Sequence, residues 1–233
     1  MSKITIKLES ADHPSAPLQS GTKFGRTYYG GSIGQRYKIV VTNNTYGRIA
    51  CVVTVDGRNV LDNKPGDPDG QAMIIGANQA YAFEGWRTGL DAVAAFRLVD
   101  VAQSYAAKTG DASNVGIIGV AMFEEKRAEH SYLHSKSLDS FGGGIMRSAA
   151  PAARSMSPRP ASAGTGFGER VESRVTTTTF ERSTTQPADE LVIYYDTISN
   201  LIEQGIFAPL GGPDPFPARK RTAAPEFCTP PEE

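Results

Sequence analysis

Residues 49–61, IACVVTVDGRNVL, carry the clearest structural signal in this chain. Every second residue of the first part is apolar or small: Ile49, Cys51, Val53 and Val55. A period of two is typical of a β-strand that buries one face. Asp56-Gly57 is a dipeptide that favours a two-residue hairpin turn. We therefore predict a strand, a tight turn at 56–57, and a returning strand over residues 58–61.

Similar patterns continue on both sides of this hairpin. Alternating, strand-like or strongly apolar runs occupy residues 3–8, 37–41, 93–99 and 114–123. The Asp-, Pro- and Gly-rich residues 62–70 are predicted to form a loop, and residues 101–108 either a single helical turn or a structured loop. Seven or eight short strands separated by turns predict a mainly β protein, an antiparallel β-sandwich of the jelly-roll-like type.

The composition changes after the apolar strands and predicts four regions. Residues 1–125 would form the soluble sandwich, and residues 126–168 a polar helix or turn followed by a flexible Ala/Gly/Ser/Pro-rich linker. Residues 169–207 would form a strand–strand–short helix arm, and residues 208–233 a Pro-rich tail. The returning strand, Leu191–Tyr195, would pair either with an edge of the same sandwich or with a neighbouring subunit. Asp196 or Thr197 would cap the helix, and Gly205 would end it.

Charge and hydropathy exclude several classes of function. The chain has 24 Lys and Arg against 25 Asp and Glu, a net charge of −1, so we expect no specific nucleic acid as partner. No apolar run approaches the roughly 20 residues of a membrane span, and the N-terminus has no apolar signal segment. We expect a protein made in a host or bacterial cytoplasm.

Few residues are candidates for catalysis or for metal or phosphate binding, and their spacing does not match the known motifs. His130 and His134 have helical spacing, but no third metal ligand stands nearby. The Asp62–Asp69 loop departs from the EF-hand spacing and leaves only an irregular calcium site open. Gly164–Gly168 lacks the lysine of a phosphate-binding loop. We predict no catalytic residue, no cofactor and no metal, and hence no enzyme.

Aromatic residues close to an arginine, and the apolar residues of the returning strand, favour a binding function over catalysis. Trp, Tyr and Arg are common anchors of protein interfaces. The candidate interface residues are Tyr28, Tyr29, Trp86, Arg87, Leu191, Ile193 and Tyr195. Alternatively, Tyr28, Tyr29 and Trp86 would form a stacking platform for a carbohydrate or another small ligand, or Trp86 would simply fill the core of the sandwich.

Three segments also carry a family resemblance over about residues 35–125. Val53–Leu61, Phe83–Arg87 and Asn114–Val120 resemble a β-sandwich domain of uncharacterised bacterial and phage proteins. A sandwich with an extended arm also resembles the accessory proteins that decorate or cement phage capsids and tails. That resemblance implies a structural, homo-oligomeric protein whose partners are protein subunits of a larger assembly, and which is present in the virion if a phage encodes it. An uncharacterised bacterial cytoplasmic protein with a regulatory role is the remaining alternative.

Overall fold

Alternating apolar residues build two facing β-sheets in the computed structural model, which describes residues 2–13, 16–126 and 161–208. The described strands are β1 (Ile4–Ser10), β2 (Gln19–Lys23), β3 (Arg26–Gly31), β4 (Arg36–Asn43), β5 (Ile49–Val55), β6 (Arg58–Asn59), β7 (Met73–Ile75), β8 (Ala80–Phe83), β9 (Gly85–Arg87), β10 (Ala92–Asp100), β11 (Ile117–Glu124), β12 (Ala163–Glu172) and β13 (Asp189–Thr197). A 3₁₀ turn (Val101–Gln103) and two short helices, α1 (Tyr105–Lys108) and α2 (Ile198–Glu203), complete the described structure.

The strands divide into sheet A and sheet B. Sheet A has the order β1-β4-β10-β12, with β8 beside β4 and β9 beside β10. Sheet B has the order β2-β3-β13-β11-β5-β6, with β7 beside β5. Strand β13 runs parallel to β3, whereas the other described pairs are antiparallel. The predicted antiparallel β-sandwich is confirmed; the jelly-roll connection pattern stays a prediction.

The core lies between the sheets, where the predicted alternation places it. Strand β1 alternates buried and exposed residues, and the inward face of β4 is fully buried. The hairpin turn at 56–57 is confirmed, since Asp56 (φ 51°) and Gly57 (φ 78°) both have the positive φ that a type I′ turn requires. The returning strand is shorter than the predicted 58–61, because β6 contains only Arg58–Asn59. The helical alternative for residues 101–108 is also confirmed by the 3₁₀ turn and α1. No helix among the described residues is long and apolar enough to span a membrane.

The second half of the chain belongs to the sandwich, which corrects two predictions. Strand β12 begins at Ala163, inside the predicted linker 126–168, and pairs with β10 along its length. Two glycines of β12 lie where a side chain would clash with a neighbour. A Cβ on Gly164 would lie 2.6 Å from Ser104 Cβ, and one on Gly168 would lie 2.7 Å from the carbonyl oxygen of Ala95. Glycine thus permits close approach here and does not mark a flexible linker.

The returning strand is also part of the same sandwich. Strand β13 contains residues 191–195 and lies between β3 and β11 of its own chain, so these residues are not an arm that reaches a neighbouring subunit. The predicted cap is confirmed, because Thr197 accepts a hydrogen bond from the amide of Asn200 and Gly205 follows the helix with φ 64°. Residues 127–160 and 209–233, which include His130, His134 and most of the predicted linker and tail, lie outside the described residues.

Candidate binding groove

A crossing segment, residues 173–182, covers part of the outer face of sheet B; we call it the strap. At its start, the amides of Ser173 and Val175 donate to the carbonyls of Asp91 (2.8 Å) and Leu90 (2.9 Å) in the β9–β10 turn. At its end, the amide of Lys126 donates to the backbone carbonyl of Glu181 (2.8 Å). The strap thus connects the β9–β10 turn to the end of β11.

A small second core holds the strap against the sheet. Ala50, Val52 and Phe123 are buried there, and Phe180 of the strap packs against this cluster. The guanidinium carbon of Arg182 lies 3.8 Å from the centre of the Phe123 ring, a cation–π contact. Aromatic and aliphatic contacts therefore fix one end of the strap while its middle stays exposed.

A groove of about 1110 Å³ lies between the strap, β7 and the β9–β10 turn. Its apolar side chains include Leu61, Met73, Tyr81 and Leu90, and Leu90 is 64% exposed at its lip. Four arginines also line it: Arg48, Arg87, Arg174 and Arg182. Among the described residues, no Asp, Glu or Lys belongs to this lining. The groove therefore combines apolar surface with positive charge.

Three of these arginines have carboxylate partners outside the groove lining. Arg48 pairs with Glu125. Arg174 lies 3.1 Å from Glu172, and Arg182 lies 2.7 Å from Asp69. These partners partly neutralise the positive charge at the groove, because an ion pair reduces the field of both its members.

Arg87 differs from the other three because its contacts are neutral. Its guanidinium donates to the carbonyl of Ser173 (2.5 Å), the hydroxyl of the same serine (3.2 Å) and the Tyr81 hydroxyl (3.3 Å). Its Nε is shielded from solvent and has no hydrogen-bond partner in the described part of the chain. The Arg87 charge is thus held in place without a carboxylate there.

The predicted interface residues do not form one surface, and Arg87 alone among them lines the groove. Trp86 is 1% exposed, with its ring 5.5 Å from Phe96 and 5.8 Å from Phe167 between ring centres. Tyr29 is buried, and Tyr28 is half-buried in the other sheet. The interpretation of Trp86 as a core residue is therefore confirmed, and the carbohydrate platform of Tyr28, Tyr29 and Trp86 is wrong.

The interface residues predicted on β13 have structural positions as well. Ile193 and Tyr195 are buried, whereas Leu191 is half-buried and packs against the main core. Their strand is hydrogen-bonded on both edges, so it offers no free edge to a partner. The prediction of these three residues as an interface is wrong, since they serve the fold of their own chain.

A buried polar cluster, which the sequence pattern did not reveal, connects the two sheets at the β5–β6 turn. Asp56 is 2% exposed and accepts hydrogen bonds from the amides of Gly116 (2.9 Å) and Thr165 (2.8 Å) and from the Tyr195 hydroxyl (2.5 Å). The Thr165 hydroxyl lies 2.6 Å from the hydroxyls of both Tyr195 and Tyr37. Because Tyr195 donates to Asp56, the consistent arrangement has Tyr37 donating to Thr165 and Thr165 donating to Tyr195.

Burial changes the protonation chemistry of this cluster. Loss of solvation raises the pKa of Asp56 to about 6, although its three hydrogen-bond donors lower the pKa. Burial also raises the pKa values of Tyr37 and Tyr195 well above the usual value for tyrosine, with the Asp56 charge acting in the same direction. Cys51 is buried too, and its loss of solvation raises the pKa of the thiol to about 12. All these groups lie in the interior, away from the groove.

The aspartate loop 62–70 has local hydrogen bonds instead of a cage of ligands. The Asp67 carboxylate accepts from the amide of Asp69 (2.9 Å), and Asp69 pairs with Arg182. Within the described ranges, no three His, Cys, Asp or Glu residues are grouped so that they could hold a metal ion.

Comparisons with protein families, with curated proteins and with solved structures find no match for this chain. The groove therefore has to be interpreted from its own residues. Sequence reasoning singled out Arg87 but missed Arg48, Arg174 and Arg182, which come from widely separated segments. Arg174 and Arg182 flank four consecutive threonines whose β-propensity favoured a strand in this part of the predicted arm, whereas the described structure has no strand between β12 and β13.

Proposed function

We propose that this protein is a non-catalytic interaction protein that binds a protein subunit of a larger assembly through the groove. The groove carries this proposal, because it combines a charged arginine that has only neutral contacts with exposed apolar surface. Arginine and large apolar side chains are typical anchors of protein interfaces. The strongly perturbed Asp56 and Cys51 lie in the core, where a substrate would not reach them.

A narrower version of this proposal is an accessory component of a phage virion. It is supported by the resemblance of residues 35–125 to phage and bacterial sandwich domains and by the general architecture. It includes self-association, because decoration proteins work as repeated copies. A bacterial regulatory protein is the alternative, and the identity of the bound partner separates the two.

Site-specific photo-cross-linking tests the proposal. A benzoylphenylalanine replacing Leu90 at the lip of the groove is expected to form an adduct of discrete mass in the cells that naturally make the protein. The matched control replaces Phe24, which is 79% exposed in the turn between β2 and β3 at the opposite edge of sheet B. Mass spectrometry would identify the partner, which should then bind the purified wild-type protein and bind the Leu90→Glu variant more weakly.

Each outcome of the cross-linking experiment supports or contradicts one version of the proposal. A capsid or tail subunit as partner supports the virion version, and a second copy of this chain supports self-association. A bacterial regulator as partner contradicts the virion version alone. The absence of an adduct at position 90, or equal adducts at positions 90 and 24, contradicts an interaction through the groove.

A further inference from the structure

The electrostatics of the groove favour a negatively charged occupant. Arginine is permanently charged, and a charge partly withdrawn from water is stabilised by an opposite charge. Arg87 donates only to neutral oxygens, those of Ser173, Tyr81 and Gly89, so no carboxylate among residues 2–13, 16–126 and 161–208 balances its charge. A carboxylate beside the guanidinium is a fitting partner, since opposite charges attract strongly where water is partly excluded.

The walls of the groove favour an extended occupant. Strand β7 pairs with β5 along one edge, and no described strand pairs with its other edge. Opposite it, the strap forms neither a helix nor a strand, and residues 176–180 make no backbone–backbone hydrogen bond to any described residue. Open strand edges and exposed backbone without hydrogen bonds are where an added peptide strand forms main-chain hydrogen bonds.

The apolar part of the lining determines which side chains would alternate with the acids. Leu61, Met73 and Leu90 line the groove, and successive side chains of a strand point to opposite faces. A strand that carries acids and apolar residues in alternation would direct one kind towards the arginines and the other towards the apolar surface. Nucleic acid fits less well, because three of the four arginines already have carboxylate partners and the chain has a net charge of −1.

We propose that the groove binds an extended acidic segment of a partner protein, with a carboxylate on Arg87 and apolar side chains beside Leu61 and Met73. This inference rests on the proposed interaction function and names the chemistry of the partner. The segment would lie as an added strand between β7 and the strap.

Selection from a random library of linear dodecapeptides displayed on phage tests this chemistry on the full-length protein. We expect enriched sequences in which Asp or Glu alternates with apolar residues. We expect the strongest selected peptide to bind Arg87→Gln about tenfold more weakly or worse, because the positive charge that attracts its carboxylate is lost. Arg97→Gln, which removes an arginine on sheet A that bonds Glu169, is the matched control and should leave the affinity unchanged.

A second pair of variants keeps the test valid if Arg87→Gln fails to fold. Leu90 is 64% exposed, so Leu90→Glu and Leu90→Lys should both fold normally. The glutamate is expected to weaken binding of the acidic peptide about fivefold relative to the lysine, through repulsion at the lip of the groove. Equal affinities, enrichment of sequences without acids, or no enrichment would each overturn the inference. A cross-linked partner at position 90 combined with any of these results would reject the acidic segment and leave the interaction function standing.

Discussion

At the scale of single residues, Asp56 connects strands from both sheets. Its carboxylate receives hydrogen bonds from the start of β11, from β12 and from β13, while its own backbone forms the β5–β6 turn. Two of those donors are backbone amides that would be left without a partner if the carboxylate were removed. Leaving buried donors unpaired costs about 1–3 kcal/mol each, so this residue specifies how the strands meet.

The raised pKa of Asp56 predicts a pH dependence of stability. Its folded-state pKa of about 6 exceeds the value of about 3.9 in unfolded chains, so the protonated form is favoured by folding. The stabilisation is complete below the unfolded value and is lost as the pH rises through about 6. We expect the free energy of unfolding to increase by on the order of 1 kcal/mol between pH 7.5 and pH 5. Urea denaturation followed by circular dichroism measures this change.

Asp56→Asn provides the control for this prediction. The variant should be less stable than the wild type at pH 7.5, and the increase between pH 7.5 and pH 5 should disappear. Three carboxylates near the surface act in the opposite direction. Arginine contacts lower the pKa values of Asp12 and Glu125, and a backbone hydrogen bond together with arginine contacts lowers that of Glu169. Their stabilisation is lost only as the pH falls below about 4.5, outside this range. An equal pH dependence in Asp56→Asn would contradict the assignment.

At the scale of elements, the strap is the part of the described structure that forms the groove without belonging to either sheet. It is hydrogen-bonded at both ends, and Phe180 and Arg182 attach it to the second core around Phe123. The strap therefore depends on few contacts. Segments with few buried contacts are those that open locally at low cost in free energy.

Phe180→Ala is expected to loosen the strap without unfolding the sandwich. Loss of a half-buried aromatic ring should cost about 1–2 kcal/mol locally. Hydrogen exchange measured by mass spectrometry should show faster exchange of the amides of Lys126 and Ser183. These amides donate to the backbone carbonyls of Glu181 and Glu124. Exchange in β4 should stay the same. Thr179→Ala, at an exposed neighbouring position, is the control, and equal effects of the two substitutions would contradict the anchoring role of Phe180.

At the scale of the whole molecule, the two parts of the chain interlock. Strand β12 completes sheet A next to β10, and β13 fills the centre of sheet B between β3 and β11. Removing β13 would expose an edge on each neighbouring strand, and it would take Tyr195 away from the buried Tyr37 and Asp56. The sandwich is thus a product of residues before and after the segment 127–160.

Fragments of the chain test this interlocking. A fragment of residues 1–140 is expected to be unfolded alone and to fold when co-expressed with residues 141–233, because β12 and β13 restore the core and the sheet. Ile193→Asp in the second fragment should abolish rescue, since Ile193 is 6% exposed. Val192→Asp is the matched control, because Val192 is 52% exposed on the same strand. Co-purification and amide dispersion in NMR spectra are the measurements, and a folded 1–140 fragment would contradict the prediction.

Local sequence patterns were enough to predict several elements, including the Asp56-Gly57 hairpin, strand β1 and the helix capped by Thr197. Turns, helix caps and alternation can be predicted in this way because they depend on residues near each other in the chain. Strands β2 and β3 were missed, since residues 19–31 are rich in glycine and polar residues and lack alternation. The glycines of β12 suggested a linker for the same reason. Their role in close packing against Ser104 and Ala95 is visible only in the tertiary structure.

The sequence also predicted Arg87 as an interface residue but placed it with the wrong neighbours. Trp86 is adjacent to it in the chain, yet successive residues of a strand point to opposite faces, so one enters the core and the other the groove. The groove and the Asp56 cluster both depend on contacts across 60 residues or more. Local pattern therefore determined the strands, the hairpin and the capped helix. The tertiary structure decided which strands are neighbours and which charges lie together, because those depend on long-range pairing between distant segments.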